Sequence, residues 1–202
     1  MVRVSGGVLR GRVLAALPDE RVRPTTGRMR ETIFSLLGPR IVDLWVLDLF
    51  AGSGILGIEA LSRGARAAVF VERDPQIAAL LERNLASLRL EARARVCVDS
   101  VVRPGVAAQL RQETRTLFDD WRTFDLIFMD PPYHAGLLAP TLAMLAGSAL
   151  LAPEAMVVAE HETTSVAKGV APGWRPMHNR RQGESQVSFW QWRGEATKTG
   201  RL

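Results

Sequence analysis

The sequence has little of several residue types that typify secreted, membrane-bound or metal-binding proteins. Its 202 residues contain a single cysteine, Cys97, so no internal disulfide bond can form and a reducing compartment is favoured. The three histidines lack metal-ligand spacing, so we predict no metal site. No apolar run is long enough to span a bilayer, and the N-terminus lacks the apolar core of a signal peptide. We therefore expect a cytoplasmic protein without membrane association, with Cys97 buried in a strand.

Lysine is nearly absent, although the chain is basic. Lys168 and Lys198 are the only lysines among 26 basic residues, which outnumber the 21 acidic ones and give a net charge of +5. A basic chain favours an anionic partner such as nucleic acid, and arginine is suited to bidentate contact with phosphate. Codon bias in a GC-rich genome is an alternative explanation for the preference for arginine, so the positions of the arginines carry more information than their number.

One stretch, Asp48–Gly57, organises the rest of the chain. An apolar run from Leu44 to Leu49 precedes it and helix-forming residues follow it, which predicts a buried strand, a tight turn and a helix. Gly52 and Gly54 allow the backbone to turn sharply and a ligand to approach closely. Gly57 allows the helix to pack closely on the sheet. This G-x-G-x-x-G pattern alone is typical of dinucleotide sites and is weakly specific.

The position of Asp48 changes this interpretation. A nicotinamide dinucleotide places its pyrophosphate at the N-terminus of the helix, where a carboxylate at the strand end would repel it. S-adenosylmethionine also has a ribose and an adenine, but it carries an ammonium and a sulfonium instead of phosphates. We therefore predict an S-adenosylmethionine site. The cofactor-binding residues that we expect are Asp48, Phe50, Ala51, Gly52, Ser53, Gly54, Glu72, Arg73, Asp99, Ser100 and Asp130.

Strand and helix patterns alternate after the glycine turn. This alternation predicts an α/β fold in which a doubly wound, mostly parallel sheet of seven strands has helices on both faces, as in Rossmann-like class I methyltransferases. We predict strands at 67–72, 93–98, 124–129, 155–160, 174–178 and 187–192, the last two antiparallel, and helices from 75 to about 88, 101 to 117 and 137 to 145.

Four predicted strands carry an acid at their carboxyl end, namely Asp48, Glu72, Asp99 and Asp130, and the ends of parallel strands meet at one edge of the sheet. We expect Glu72 to accept hydrogen bonds from both ribose hydroxyls. We expect the carboxylate of Asp99 and the backbone amide of Ser100 to bind the adenine. Asp48 would contact the ammonium of the methionine part, directly or through water.

The sequence Asp130-Pro131-Pro132-Tyr133 is the most specific chemical motif. The two prolines fix the backbone and remove two N–H donors, so the loop offers only hydrogen-bond acceptors beside an aromatic ring. If Asp130 and a carbonyl near Pro131 accept the two hydrogens of an exocyclic base amine, its lone pair becomes free to attack a sulfonium methyl group. Tyr133 is suited to stack on an extruded base. We expect these four residues to be catalytic and His134 to be a bystander.

The first 24 residues are rich in arginine and glycine, and their valines predict a small hairpin. A helix follows, with Met29 and Ile33 on its apolar side and Arg28 and Arg30 toward solvent or substrate. We expect an N-terminal arm at 1–24, a methyltransferase domain at 25–193 and a flexible tail at 194–202. The residues expected to bind RNA are Arg10, Arg12, Arg23, Thr25, Thr26, Arg28 and Arg30.

With these motifs assembled, the sequence resembles the RsmD-like family of bacterial 16S ribosomal RNA guanine-N2 methyltransferases over almost its whole length. The resemblance lies in Ser5-Gly6-Gly7 with Arg10-Gly11-Arg12, in Arg23-Pro24-Thr25-Thr26, in the Asp48–Gly54 turn and in Asp130–Tyr133. It implies methyl transfer from S-adenosylmethionine to N2 of a guanine in 16S rRNA during small-subunit assembly, by a monomer.

Without the resemblance, the residues indicate only an amine methyltransferase with a basic arm. Three alternatives therefore remain open. The enzyme could methylate adenine N6 or cytosine N4 in DNA or another RNA, since the same loop would serve any of these amines. The chain could instead be a nicotinamide-dependent oxidoreductase, or a non-catalytic RNA-binding assembly factor.

Overall fold

The computed structural model describes residues 2–15, 27–132, 134–162 and 170–194. Alternating strands and helices follow a short N-terminal hairpin. The strands are β1 (Val2–Arg3), β2 (Val13–Leu14), β3 (Trp45–Leu49), β4 (Ala67–Glu72), β5 (Ala94–Val98), β6 (Phe124–Met129), β7 (Leu151–Glu162), β8 (Trp174–Gln182) and β9 (Ser185–Trp192). The helices are α1 (Gly27–Leu37), α2 (Ile55–Ser62), α3 (Pro75–Ser87), α4 (Val106–Leu117) and α5 (Leu138–Ala146).

Seven strands form one sheet in the order β5-β4-β3-β6-β7-β9-β8. Strands β3 to β7 are parallel, whereas β9 is antiparallel to both of its neighbours. The order of the strands reverses between β3 and β6, which is where doubly wound sheets bind their ligands. The predicted fold is confirmed, including the small antiparallel hairpin at the N-terminus.

Two hydrophobic layers cover the faces of the sheet. Helices α1, α2 and α3 pack on one face, where the rings of Phe34 and Phe128 lie 5.8 Å apart. Helices α4 and α5 pack on the other face, around the fully buried Trp121. Cys97 is buried in β5 as expected, and burial raises the pKa of its thiol, which donates to Glu113, to about 12. No helix in the described ranges is long and apolar enough to cross a membrane.

The predicted boundaries of β4 and β6 match the structure, but that of α4 does not. We predicted this helix from Val101, whereas it begins at Val106 after a series of turns. The reason is Gly105, whose φ of 82° is left-handed and ends the preceding turns. Strand β7 also starts at Leu151, earlier than the predicted Ala155, because Leu151 pairs with Phe124 before an irregularity in the ladder.

The N-terminal hairpin packs on the C-terminal end of α2. The backbone amide of Val8 donates to the carbonyl of Ser62 at 2.8 Å, and the amide of Leu9 donates to the Ser62 hydroxyl at 2.9 Å. That hydroxyl in turn donates to the Gly6 carbonyl at 2.7 Å. The helix that follows the glycine turn therefore also anchors the arm that we predict to contact RNA.

Candidate active site

The glycine turn between β3 and α2 adopts the conformation that its sequence predicts. Gly52 and Gly54 have φ angles of 54° and 79°, in the left-handed region that glycine enters without strain. A Cβ at Gly54 would collide with Leu81, and one at Gly57 would collide with Phe70. A side chain is therefore disfavoured at Gly54 by the left-handed backbone and by Leu81 of α3, and at Gly57 by the ring of Phe70 in β4.

Asp48 is buried at the end of β3, beneath this turn. Its Oδ2 accepts a hydrogen bond from the backbone amide of Gly57 at 2.9 Å. Burial raises the pKa of Asp48 well above its ordinary value, the Gly57 bond opposes this rise, and the negative charges of Asp130 and Glu72 add to it. A cation bound here would relieve the repulsion among the three carboxylates, so the site fits a positively charged ligand.

Glu72, the last residue of β4, is fixed by backbone donors on both sides. Its Oε2 accepts from the amide of Gly52, and its Oε1 accepts from the amide of Asp74, both at 2.9 Å. Each carboxylate oxygen has a further lone pair, so the carboxylate can still accept from a pair of hydroxyl groups. The bond to Gly52 also fixes the glycine turn relative to β4.

Asp99 and Ser100 follow β5, but they are arranged differently from our prediction. The Ser100 amide donates to Asp99 Oδ1 at 2.7 Å rather than pointing away toward a ligand. Arg103 binds both carboxylate oxygens and lowers the pKa of Asp99. In this arrangement an adenine would have to displace Arg103 from the Asp99 carboxylate, and to displace that carboxylate from the Ser100 amide. Of the other predicted cofactor contacts, Arg73 is exposed after β4, Phe50 is half-buried, and Ala51 and Ser53 are buried in the glycine turn.

The Asp130–Pro132 segment follows β6, directly beside β3. Leu49 pairs with Met129, so Asp130 and Asp48 lie on neighbouring strands at the point where the strand order reverses. Pro131 is buried and Pro132 is exposed. Tyr133 lies outside the described residues, so its predicted stacking role stays a prediction.

The carboxylate of Glu162, at the end of β7, contacts the C-terminal end of this loop at His134. It accepts from the His134 backbone amide, and its Oε1 lies 3.1 Å from Nδ1 of the His134 ring. His134 has a φ of 60°, which is unusual for a residue with a side chain. Sequence reasoning missed Glu162 because no motif joins it to the loop.

The predicted RNA-binding arginines fall into two groups. Arg10, Arg12 and Arg28 are exposed, whereas Arg30 is buried, with 5% of its surface accessible. The expectation that Arg30 faces solvent or substrate is therefore wrong. Its guanidinium lies 3.6 Å from the buried carboxylate of Glu59 and donates to the Arg3 carbonyl at 2.8 Å, so it fixes the N-terminal arm. The predicted contacts Arg23, Thr25 and Thr26 lie outside the described residues.

Two buried polar residues hold the arm, Glu59 against α2 and Asn84 against the glycine turn, and neither was predicted to be functional. Glu59 binds Arg63 at 2.7 Å and accepts from the Ser5 amide at 3.2 Å. Asn84 donates to the carbonyls of Ser53 and Ala15 and accepts from the Ala15 amide. The spacing of Ser5 and Glu59, 54 residues apart, leaves no local signal for such contacts.

Comparison with known proteins identifies relatives over almost the whole chain. The family model described as conserved hypothetical protein 95 matches residues 2–191. The ribosomal RNA small subunit methyltransferase D of Escherichia coli (strain K12) is 37% identical over 195 residues, which cover 96% of this chain and 91% of that protein. The protein of the same name from Haemophilus influenzae is 37% identical over 161 residues, 80% of this chain and 79% of its own.

Solved structures have the same fold. A candidate methyltransferase from Escherichia coli, yhhF, superposes with a TM-score of 0.79 at 34% identity and covers 96% of this chain and 99% of that one. An RNA methyltransferase from Salinibacter ruber, solved with S-adenosyl-L-homocysteine, has a TM-score of 0.61 at 15% identity over 89% of this chain and all of that one; this likeness shows the fold alone. This chain therefore belongs to the conserved hypothetical protein 95 family of RsmD-type proteins, and it is a methyltransferase with the class I fold.

Proposed function

We propose that this protein transfers a methyl group from S-adenosylmethionine to the exocyclic N2 amine of a guanine in 16S ribosomal RNA. The observation that carries the proposal is the convergence of Asp48, Glu72 and Asp130 at the point where the strand order reverses. The names of the relatives support the substrate class, and the basic N-terminal arm supports a nucleic-acid partner.

The residues around the glycine turn fit the cofactor. Glu72 has acceptor capacity for the two ribose hydroxyls, and Asp48 provides negative charge for the ammonium of the methionine part. When bound, S-adenosylmethionine supplies an electrophilic methyl group on a positively charged sulfur. The burial of Asp48 under the turn excludes water and strengthens its attraction for a cation.

The catalytic contribution of the chain lies in the Asp130 loop. The Asp130 carboxylate and a carbonyl near Pro131 accept the two N–H groups of guanine N2, which localises the lone pair on nitrogen. With S-adenosylmethionine bound, this nitrogen would form the N–CH₃ bond as the S–CH₃ bond breaks, which would leave a neutral thioether. The methylated amine is then acidic and loses a proton without a strong base, so positioning accounts for most of the rate enhancement.

We propose that the arm and the loop together receive an extruded base. We propose that the arginines of the N-terminal arm bind RNA phosphates and that Tyr133 stacks on the flipped guanine. We further propose that the enzyme acts in the cytoplasm as a monomer, on rRNA or on the assembling small subunit, and that its three regions are the arm at 1–24, the catalytic domain at 25–193 and the tail at 194–202.

Nucleoside analysis tests this function directly. Small-subunit particles from a strain that lacks the corresponding methyltransferase would be incubated with the protein and methyl-labelled S-adenosylmethionine, and the digested RNA would be analysed by mass spectrometry. We expect N2-methylguanosine as the labelled product. Labelled N6-methyladenosine or N4-methylcytidine would instead favour the alternative amine substrates, and no label would favour a non-catalytic assembly factor.

A further inference from the structure

The carboxyl end of β8 carries two arginines on the outer edge of the sheet. Arg180 and Arg181 are both exposed, and neither has an ion pair with a carboxylate of the described residues. We propose that Arg180 and Arg181 form a second RNA-contacting surface, which binds phosphates of the substrate strand beside the methylated nucleotide. This inference rests on the proposed function and adds a second contact surface to it.

The register of the sheet places Arg180 level with the catalytic loop. Arg180 pairs with Val187 of β9, and Val187 pairs with Glu160 of β7. Met129 of β6 pairs with Ala159 of β7. The next residues on the two strands, Asp130 and Glu160, therefore lie at the same level. Since neighbouring strands lie about 4.8 Å apart, three strand spacings, or about 14 Å, separate the backbones of Arg180 and Asp130.

The same register identifies the face of the sheet on which Arg180 lies. Paired residues on neighbouring strands share a face, and Val187 packs in the hydrophobic cluster that also contains residues of α1 and of the N-terminal hairpin. The hairpin contacts α2 and α3, which flank β3 and β4, whereas β8 is the opposite edge strand. Arg181, the next residue, pairs with Gln186 and points to the opposite face, so the two guanidinium groups flank the edge of the sheet at this level. An RNA strand that crosses the carboxyl edge of the sheet past the catalytic loop would meet both.

Both guanidinium groups are oriented by their own backbone and keep donors for a ligand. Arg180 Nη1 donates to the Asn179 carbonyl at 2.9 Å, and Arg181 Nε donates to the Gly183 carbonyl at 3.0 Å. An arginine has five N–H donors, so most remain for bidentate contact with phosphate. Their removal would leave no buried partner unsatisfied, because these carbonyls belong to exposed residues.

Charged residues on an edge strand can also serve only to prevent pairing between sheets of different molecules. Arg175 provides the control that separates the two roles, because it is an exposed arginine on the same strand and the same face as Arg180. It lies five residues before Arg180 and six before Arg181, at the opposite end of β8, roughly 20 Å from Arg181 along an extended strand. An edge-protecting role would apply equally to Arg175, whereas RNA contact beside the catalytic loop would not.

The test measures the salt dependence of RNA binding by the full-length protein. Filter binding to transcribed 16S rRNA would compare the wild type, the double variant Arg180→Ala/Arg181→Ala, the control Arg175→Ala and the double variant Arg180→Lys/Arg181→Lys. Two lost phosphate contacts on a single strand reduce the slope of log K against log salt concentration by about 1.4. When salt rises from 50 to 200 mM, the factor by which the affinity falls would therefore be about seven times smaller for the double alanine variant than for the wild type.

We expect the double alanine variant alone to show the smaller slope, and the lysine variant to keep the wild-type slope because it keeps the charge. The melting temperature and the affinity for S-adenosylhomocysteine should be unchanged in all variants. A wild-type slope in the double alanine variant, or a reduction of about 0.7 (the value for one phosphate contact) in Arg175→Ala, would overturn the second surface even if N2-methylguanosine is formed. Conversely, a reduced slope with a different methylated product would support the surface and contradict the proposed function.

Discussion

The side chain of Asn84 joins the glycine turn to the N-terminal arm. Its Nδ2 donates to the Ser53 carbonyl at 3.2 Å and to the Ala15 carbonyl at 3.1 Å, while its Oδ1 accepts from the Ala15 amide at 2.9 Å. Asn84 is buried, with 2% of its surface accessible. Because Ser53 lies in the predicted cofactor turn and Ala15 leads into the predicted RNA-binding segment, α3 connects the two binding regions.

This link predicts that Asn84→Leu weakens the binding of both ligands. The substitution leaves three backbone groups without their partner. Water can reach those of the exposed Ala15, whereas the carbonyl of Ser53 is buried, and an unsatisfied buried group costs about 1–3 kcal/mol. We expect the affinities for S-adenosylhomocysteine and for 16S rRNA each to fall about tenfold, as measured by calorimetry and filter binding.

Thr114→Val is the matched control, because it also replaces a buried polar side chain by an apolar one of similar shape. Thr114 donates only to the Leu110 carbonyl within α4, away from the turn and the arm. We expect it to reduce thermal stability but to leave both affinities unchanged. Unchanged ligand affinities in Asn84→Leu would show that the connection has no functional role.

The second prediction concerns the buried charge of Asp48. Since burial raises its pKa, ionisation of Asp48 destabilises the ligand-free protein, and this penalty grows as the pH rises from the unfolded-state pKa through the folded-state pKa. We expect Asp48→Asn to raise the melting temperature of the ligand-free protein at pH 8, with a gain that shrinks toward about pH 4. The same variant should gain less stability than the wild type on addition of S-adenosylmethionine.

Asp99→Asn should have the opposite effect, because Arg103 lowers the pKa of Asp99. Its stabilising contribution is present above the unfolded-state pKa and is lost as the pH falls through the folded-state pKa. We expect Asp99→Asn to lower the melting temperature at pH 8. Differential scanning fluorimetry between pH 4 and pH 8 measures both trends, and a melting temperature of Asp48→Asn below that of the wild type at pH 8 would contradict the account.

The third prediction concerns the ion pairs that hold the N-terminal arm. The side chain of Glu59 is fully buried and lies 2.7 Å from Arg63 and 3.6 Å from Arg30. Removal of one partner from a buried ion pair leaves an uncompensated charge, so Glu59→Ala should destabilise the protein by about 3–5 kcal/mol. Urea unfolding measures this change, and proteolysis after Arg10 should become faster as the arm is released.

Glu154→Ala provides the comparison for an exposed pair. Glu154 lies 2.8 Å from Arg193, with 65% and 42% of the two side chains accessible. Exposed pairs contribute at most about 1 kcal/mol, so this variant should unfold nearly like the wild type. Equal effects of the two substitutions would show that the Glu59 cluster does not anchor the arm.

The fourth prediction separates the two contacts between Glu162 and His134. The backbone amide of His134 donates to Glu162, and this bond persists whatever side chain occupies position 134. His134→Gly removes the imidazole but accommodates the φ of 60°, so we expect it to keep most of its activity. Glu162→Ala releases the loop and should lower kcat about tenfold with little change in cofactor affinity. If His134→Gly is the more damaging change, the side chain rather than the backbone bond fixes the loop.

The sequence predicted most of the sheet because its signals are local. The apolar run that ends at Glu72 defines β4 to the residue, and the glycine turn after Asp48 follows from the conformations that only glycine enters freely. The acids at the strand ends could be placed together because parallel strands end at one edge of the sheet.

The contacts between distant segments could not be predicted in the same way. Helical spacing placed Arg30 on the polar side of α1, yet Glu59 lies 29 residues away in the chain and gives the guanidinium a buried partner. Asp99 is a different case, because Ser100 and Arg103 lie within four residues of it: the competition for its carboxylate was local, and the pattern of acids at the strand ends outweighed it. The spacing of apolar residues indicates which side of a helix or strand is buried, but it does not indicate a polar partner on another helix or strand.

The proposed reaction depends most on Asp130 as the acceptor that activates the amine. The most direct measurement is single-turnover methyl transfer to small-subunit particles by Asp130→Ala and by the wild type, together with calorimetric binding of S-adenosylhomocysteine to both. We expect the variant to transfer the methyl group at least about a hundredfold more slowly, equivalent to about 2.7 kcal/mol of lost transition-state stabilisation, while it still binds S-adenosylhomocysteine. A variant that binds S-adenosylhomocysteine and forms N2-methylguanosine at the wild-type rate would contradict this role of Asp130.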